Sequence, residues 1–310
     1  MKRIAVVGPT GAGKTALGIE LALRFGGEVI SCDSRQVFLE MDIGTAKPSR
    51  TQRNAIRHWM LDILEPTRLF SAGEFAAQAR DALRALPQRG PAWLVGGSGF
   101  YLKAFLDGID LCRHYPPPNP ALRRRLETEI SLLGQGFAYE QLRRLNAARA
   151  LGVHPNDRYR IVRSLEAVLV SGGEFSAAFK GQGPQDAKEP ACLILGLRPD
   201  KEWLTRRLRI RAEGMLKEGL LEEVKGLKEQ GFHRFPPFCL TTGYPEALSV
   251  VQGERPLVWL VEAMVLAHLK LAKKQMTFLR HKIPGIVWVN AEAPLPDALE
   301  RVRHFLEGWG

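Results

Sequence analysis

Apolar positions along the chain fall into two rhythms. Five short runs are nearly continuous: RIAVV (3–7), EVIS (28–31), AWLVGG (92–97), CLILGL (192–197) and GIVWVN (285–290). Strands covered on both faces read this way, because neither face meets water. Between the runs, apolar residues recur every three to four positions, as on one face of a helix. TALGIELALRF follows the first run, and SAGEFAAQARDALRAL (71–86) opens on Ser71 with Glu74 three residues later. That pairing closes a capping box, in which each side chain bonds the other residue's backbone N–H. Longer stretches at 200–230 and 258–281 keep the helical spacing. Strands alternating with helices predict an α/β fold, a parallel sheet flanked by helices.

Residues 112–190 interrupt this alternation. YPPPNP (115–120) predicts a stiff extended lead-in, since proline excludes helix there. ALRRRLETEISLLGQG, AYEQLRRLNAARALG and PNDRYRIVRSLEAVLVSG then read as helices, and the polar KGQGPQDAKEP (180–190) leads back to a strand. The expectation is a core of residues 1–115 and 190–310, interrupted by an all-helical insertion at 116–189.

Composition narrows the partners. The 310 residues carry a formal net charge of +11, which points weakly to a polyanion because Lys and Arg neutralise phosphates. Cys32, Cys112, Cys192 and Cys239 form no C-x-x-C pair and no disulfide framework. His58, His114, His154, His233, His268 and His281 show no metal-ligand spacing. The first strand begins at residue 3, so no leader is expected, and the apolar runs are far shorter than a membrane span. A cytoplasmic protein is expected, and a monomer, since no heptad seam is evident.

The first strand runs into GPTGAGKT, Gly8 to Thr15, which fits G-x-x-x-x-G-K-[ST]. Such a nucleotide-binding loop cradles phosphates with backbone N–H groups; its Lys reaches the terminal phosphate and its hydroxyl holds Mg²⁺. The helix that follows adds its positive N-terminal dipole. An NTPase also needs a strand-end acid for the metal. The obvious strand ends in Gly96-Gly97-Ser98-Gly99 with no carboxylate, and small residues there admit close approach to the backbone. The nearest acid is Asp33, just past the second strand, on the sheet edge where ligands bind. It either caps a turn or serves as a general base.

The blocks GPTGAGKT, CDSRQVF, MDIGTAKP, HWMLDILEP, FSAGEF, LVGGSGFYLKAFLDGI, HPNDRYRIVRSLEAV, MLKEGLLEEVKGL, TGYPEAL and AKKQMTFLR occur in this order. In that order the chain resembles the tRNA dimethylallyltransferases over nearly its whole length. The resemblance implies that the loop holds the diphosphate of dimethylallyl diphosphate, not ATP. The prenyl group passes to the exocyclic amine of the adenosine 3′-adjacent to the anticodon, in tRNAs reading U-starting codons, and diphosphate leaves. It implies diphosphate binding by Gly8, Pro9, Thr10, Gly11, Ala12, Gly13, Lys14 and Thr15, with Mg²⁺ at Thr15. Asp33 matches the base, and Thr10 is a candidate donor near the breaking bond. Asp33, Ser34, Arg35 and Gln36 fall on the flipped base, and Ser98 lines its channel. Arg158, Arg160 and Arg163 match a segment near the RNA, as do Lys273, Lys274, Gln275 and Arg280. Thr242, Gly243 and Tyr244 match a turn near diphosphate and RNA. The insertion is placed over the anticodon stem–loop. Its basic runs LRRRLETE (122–129) and QLRRLN (141–146) read singly as solvated helix faces and as a group as phosphate contacts.

The chain departs from the family pattern at Phe38, Pro245, Leu269, Leu271 and Phe278, where Tyr, a basic residue, Arg, Tyr and Trp are usual. No cysteine follows Cys239, so the zinc finger of some members is not expected. Two rival readings are a small-molecule kinase using the loop for ATP and a non-catalytic RNA-binding module.

Overall fold

A computed structural model describes residues 1–87, 89–107, 116, 119–172 and 192–308. The 180–190 segment and Cys112 and His114 lie outside the described residues. The chain forms two compact units, Met1–Leu106 with Ala187–Gly310, and Asp107–Asp186.

The first unit is built on one parallel sheet of six strands, in the order β3-β2-β4-β1-β5-β6. The strands are β1 (Arg3–Val7), β2 (Glu28–Ser31), β3 (His58–Trp59), β4 (Ala92–Gly96), β5 (Cys192–Arg198) and β6 (Ile286–Asn290). β1 is wholly buried and lies between β4 and β5, with Ala5 opposite both Leu94 and Ile194. That position explains its unbroken apolar run. The two-residue β3 was not foreseen, because two residues carry no period. It sits on the edge, where Arg57 lies over the Trp59 ring and Trp59 Nε1 donates to Glu28.

The helices of this unit are α1 (Lys14–Phe25), α2 (Arg50–Ala55), α3 (Ala72–Ala85), α4 (Gly99–Leu106), α9 (Lys201–Lys217), α10 (Leu220–Glu229), α11 (Pro236–Cys239), α12 (Tyr244–Val251), α13 (Leu257–Lys282) and α14 (Leu295–Glu307). α3 begins with the expected box: Ser71 N–H donates to Glu74 at 2.8 Å and Glu74 N–H to Ser71 Oγ at 3.2 Å. The helical stretch at 200–230 divides into α9 and α10. Gly219 there takes φ +100°, which an L side chain resists, and ends one helix before the next starts. One core cluster joins β1 and β5 to α1 and α14 through Leu17, Leu21, Leu195 and Val302. A second gathers Phe38, Met41, Val224, Phe238, Tyr244 and Met264 beneath the 37–47 loop.

The described part of the second unit consists of α5 (Pro120–Leu133), α6 (Gln135–Leu145), α7 (Ala147–Leu151) and α8 (Arg158–Val170) around Leu126, Ile130, Leu142, Ile161 and Leu165. Glu166 is fully buried there. It is held by Arg123 and Arg163, both at 2.8 Å, and by the Asn119 N–H at 2.6 Å. Those bonds to the charged form outweigh burial and hold its carboxyl below the usual range.

Candidate active site

The phosphate loop leaves β1 at the carboxyl edge of the sheet. The chain passes from β1 to β2 across the place β4 later fills, and β5 then pairs on the other side of β1. In open α/β sheets the crevice at such a switch of direction takes the ligand. Two of the loop glycines take positive φ, +154° at Gly8 and +80° at Gly11, where an L side chain is strained. A Cβ on Gly8 would lie 3.0 Å from Leu197 Cβ, and one on Gly11 would lie 2.8 Å from Leu208 Cδ2. The second contact shows α9 packed directly on the loop. Lys14 starts α1 and folds back to donate to the Pro9 carbonyl at 2.8 Å. Burial pushes its ammonium down to about 8; Asp33 opposes that shift and Arg211 adds to it. Thr15 lines a small cavity of mixed character, with Ser31, Gln36 and His58 on one hand and Val29, Pro48 and Val95 on the other.

The second loop follows β2. Asp33 Oδ1 accepts the Arg35 N–H at 2.8 Å. This is the turn-capping role, and it leaves Oδ2 for another. Both readings of the residue therefore fit one geometry. Asp33 acts electrostatically on Lys14, Arg35 and Arg211. Burial lowers the guanidinium pKa of Arg35 and of Arg211, and Asp33 offsets part of each shift. Cys32, next to the acid, is buried and its thiol is pushed far up, so it stays protonated and inert.

The third loop is the glycine-rich end of β4. Its small residues admit the protein itself. A Cβ on Gly96 would lie 1.9 Å from the Cys32 carbonyl oxygen. One on Gly97 would lie 2.6 Å from Gln275 Nε2, and one on Gly99 2.7 Å from the Phe278 ring. Ser98 Oγ accepts the Ser34 N–H at 2.9 Å, which ties this turn to the acid-bearing loop.

Residues 36–282 match the family described as IPP transferase. Over 99% of its length the chain is 37% identical to the tRNA dimethylallyltransferase of Anaeromyxobacter sp. (strain K), of which it covers 98%. It is 38% identical to that of Solibacter usitatus, with 99% of each chain covered. The solved structure of a eukaryotic dimethylallyltransferase acting on tRNA superposes with a TM-score of 0.78 at 25% identity, over 99% of this chain and 80% of that one. The chain belongs to the IPP transferase family.

The IPP transferase blocks divide into those that line the crevice and those that hold it. Within MDIGTAKP, the Glu223 carboxylate accepts the backbone N–H groups of Asp42, Ile43 and Gly44 and the Tyr244 hydroxyl. Lys47, its side chain nearly inaccessible, donates to the Phe38 carbonyl at 2.5 Å and to Asp42 at 2.6 Å, and pairs with Asp62. Tyr244 is fully buried against Phe238, so it serves the core and the loop clip. Gln36 is engaged likewise: Nε2 donates to the Thr45 and Ala46 carbonyls and Oε1 accepts from Ser31. Gln275 bonds the Thr10 N–H and the Gly97 carbonyl. Lys273, Lys274 and Arg280 are exposed on α13.

In the helical unit, Arg158 donates to the Glu127 carbonyl and Ser131, and Arg163 to Glu166 and the Pro116 carbonyl. Arg160 instead keeps 61% of its side chain exposed beside Asp157. Among the departures, Pro245 lies in the first turn of α12, where a proline is tolerated. Phe38 is buried in the core beneath its loop.

No sequence motif marks Arg211, which belongs to the same site. Its Nε is buried and takes no hydrogen-bond partner among the described residues. It lies within electrostatic reach of Asp33 and Lys14, and also of His268, which burial first and Arg211 second hold down to about 4. A signal was present: Leu204, Leu208, Arg211 and Met215 share one face of α9, so a charge interrupts an apolar stripe. Among the described residues no group of three His, Cys, Asp or Glu could hold a metal unaided. The Thr15 hydroxyl suits Mg²⁺ of the kind that takes one or two protein oxygens and completes its shell with substrate phosphates and water.

Proposed function

We propose that this chain transfers a dimethylallyl group from dimethylallyl diphosphate to N6 of the adenosine 3′-adjacent to the anticodon, in tRNAs reading U-starting codons, and releases diphosphate. The observation that carries the reading is that Lys14, Arg211 and Asp33 lie within electrostatic reach of one another around a loop crevice whose central strand end, Gly96-Gly97-Ser98, bears no acid. Two cations with incomplete hydrogen bonding suit a diphosphate, and a lone carboxylate suits a base.

The adenine amine is a weak nucleophile because its lone pair is delocalised into the ring. Its nitrogen attacks C1 of the prenyl group as the C1–O bond to diphosphate breaks, and the electron pair leaves on oxygen. Asp33 Oδ2 takes the amine proton, help worth about 10²–10⁴-fold in general. The loop N–H groups, Lys14 and Arg211 hold the charge that gathers on the leaving group, already in place before it develops. Thr10 stands in the same loop as a donor near the breaking bond. Mg²⁺ held at Thr15 supplies further charge neutralisation on the diphosphate.

The target base must leave its stack to reach the crevice, at a cost of a few kcal/mol. Ser34, Arg35 and Ser98 are assigned to that base. Arg160, Lys273, Lys274 and Arg280 are assigned to tRNA phosphates, with the helical insertion at 116–189 on the stem–loop. Arg158, Arg163, Gln36, Gly243 and Tyr244 act through the residues they hold, and Thr242 is assigned to the turn near diphosphate and RNA. We assign the protein to the cytoplasm as a monomer; among the described residues no helix is long and apolar enough to cross a membrane.

The test is a transfer assay with Mg²⁺, labelled dimethylallyl diphosphate and unmodified tRNA, with ATP in a parallel tube. Label at the adenosine 3′ of the anticodon is expected. ATP consumed with no label in tRNA would replace this reading with that of a kinase.

A further inference from the structure

Gln275 stands on α13 with its side-chain amide engaged on both sides. Its Oε1 accepts the Thr10 N–H at 2.8 Å, and its Nε2 donates to the Gly97 carbonyl at 3.1 Å. Thr10 belongs to the phosphate loop and Gly97 to the turn after β4. The fit is close, since a Cβ on Gly97 would sit 2.6 Å from that Nε2. The turn then reaches the acid-bearing loop. Ser98 Oγ accepts the Ser34 N–H at 2.9 Å, and the Ser98 N–H donates to the Cys32 carbonyl at 3.2 Å. An unbroken series of hydrogen bonds therefore runs from the loop assigned to the leaving group to the loop that carries Asp33.

We propose that Gln275 is a positioning residue that sets the spacing between the diphosphate-holding loop and the Asp33 loop. The inference rests on the transfer reaction proposed above. Displacement at carbon needs the nucleophile about 3–3.5 Å from C1 and in line with the bond to the leaving group, and a 1 Å misplacement can cost about 10²-fold. An amide side chain offers an acceptor to Thr10 and a donor to Gly97 at every pH without carrying a charge. The bond to Thr10 also fixes the plane of the 9–10 peptide inside the phosphate loop. This role differs from the RNA contact that the resemblance implied for Gln275, and the two part company on which constant changes.

The test uses the full chain with Gln275→Met, which keeps the volume and removes both bonds, and Gln275→Glu, which keeps the acceptor for Thr10 and sets a second acceptor against Gly97. Single-turnover transfer is measured at saturating donor and tRNA, with separate dissociation constants for each. Gln275→Met should slow transfer about 10–100-fold, with both dissociation constants within about threefold of wild type. Gln275→Glu should be slow at neutral pH and regain rate relative to wild type as the pH is lowered, because a protonated carboxyl again donates to Gly97. A wild-type rate in Gln275→Met, or a loss confined to tRNA affinity, would overturn the inference. A wild-type chain that transfers nothing would refute the reaction alone. The inference would then stand or fall on hydrogen exchange at the Thr10 amide, expected to speed up at least about tenfold in Gln275→Met; unchanged exchange would overturn it.

Discussion

Arg211→Met separates what the crevice does from what holds it together. Arg211 is part-buried on α9, with its Nε wholly buried and unpartnered among the described residues. A buried donor without a partner costs about 1–3 kcal/mol. Methionine fits a similar volume and carries no polar group, so the variant should regain part of that cost. Domains of 150–250 residues gain roughly 2–4 °C in Tm per kcal/mol, so a rise of several degrees is expected. Function should move the other way. A hydrogen bond between charged groups contributes about 1.5–3 kcal/mol, and each 1.4 kcal/mol is tenfold. Magnesium pyrophosphate should therefore bind about 10- to 100-fold more weakly, by calorimetry. The transfer rate should fall further, because charge on the leaving oxygen grows toward the transition state. An independent readout is His268. Burial and then Arg211 hold its imidazole down to about 4, while its bond to the Met264 carbonyl acts the other way. Without the neighbouring cation its pKa should rise, as followed by NMR. A variant with lower Tm, unchanged pyrophosphate affinity and an unmoved His268 would refute the placement of Arg211 at the phosphate site.

Asp33→Asn keeps an acceptor for the Arg35 N–H and removes the base, so tRNA affinity should hold while single-turnover transfer falls about 10²–10⁴-fold; an unchanged rate would remove Asp33 from that role. Lys14 is held near 8 in the free protein. It loses its charge as pH rises through that value, so pyrophosphate affinity should weaken between pH 7 and 9.5, and a flat titration would contradict the assignment. In Gly44→Ala, the new Cβ would lie 2.4 Å from the fully buried Tyr244 ring. The clash should cost about 1–3 kcal/mol, as overpacking does, and is read as a drop in Tm; a wild-type melting curve would show that the loop yields.

The features legible in the sequence were those with a local cause. β1, β2, β4 and β5 were legible because an inner strand covered on both faces has no polar side, and β6, though on the edge, keeps the apolar run IVWV. The loop from Gly8 to Thr15 was legible because phosphate cradling demands glycine at fixed places. β3 was not, since an edge pair of two residues has no rhythm. The break at Gly219 was masked by apolar spacing that continues through it. The site followed the same division. Asp33 could be found from its place beyond a strand, while its partner Arg211 lies far along the chain and is defined only by α9 packing on Gly11. The MDIGTAKP signature was visible but its reason was not. Its backbone N–H groups are gathered by Glu223, from a helix about 180 positions away in the sequence.

The arrangement also explains how a loop of nucleotide-binding type can serve a reaction without ATP. A kinase or hydrolase brings a nucleophile to phosphorus and needs a strand-end acid that holds the metal against the transferring phosphate. Here the end of β4 is filled by Cys32 backbone, Gln275 and Phe278, which approach Gly96, Gly97 and Gly99 more closely than any side chain there would allow. The carboxylate sits one strand further out, after β2, tied to the phosphate loop through Ser34, Ser98, Gly97 and Gln275. Moving the acid away from the phosphates suits a reaction whose bond is broken on the carbon side of the bridging oxygen, where the base acts on an amine beyond the prenyl chain. Placing a carboxylate at Ser98 should not create an ATPase. Ser98 Oγ accepts the Ser34 N–H, and Ser98→Asp would put a charge into that junction, disturb the Asp33 loop and lower prenyl transfer. ATP hydrolysis by Ser98→Asp well above that of wild type would show that the missing acid alone separates the two chemistries.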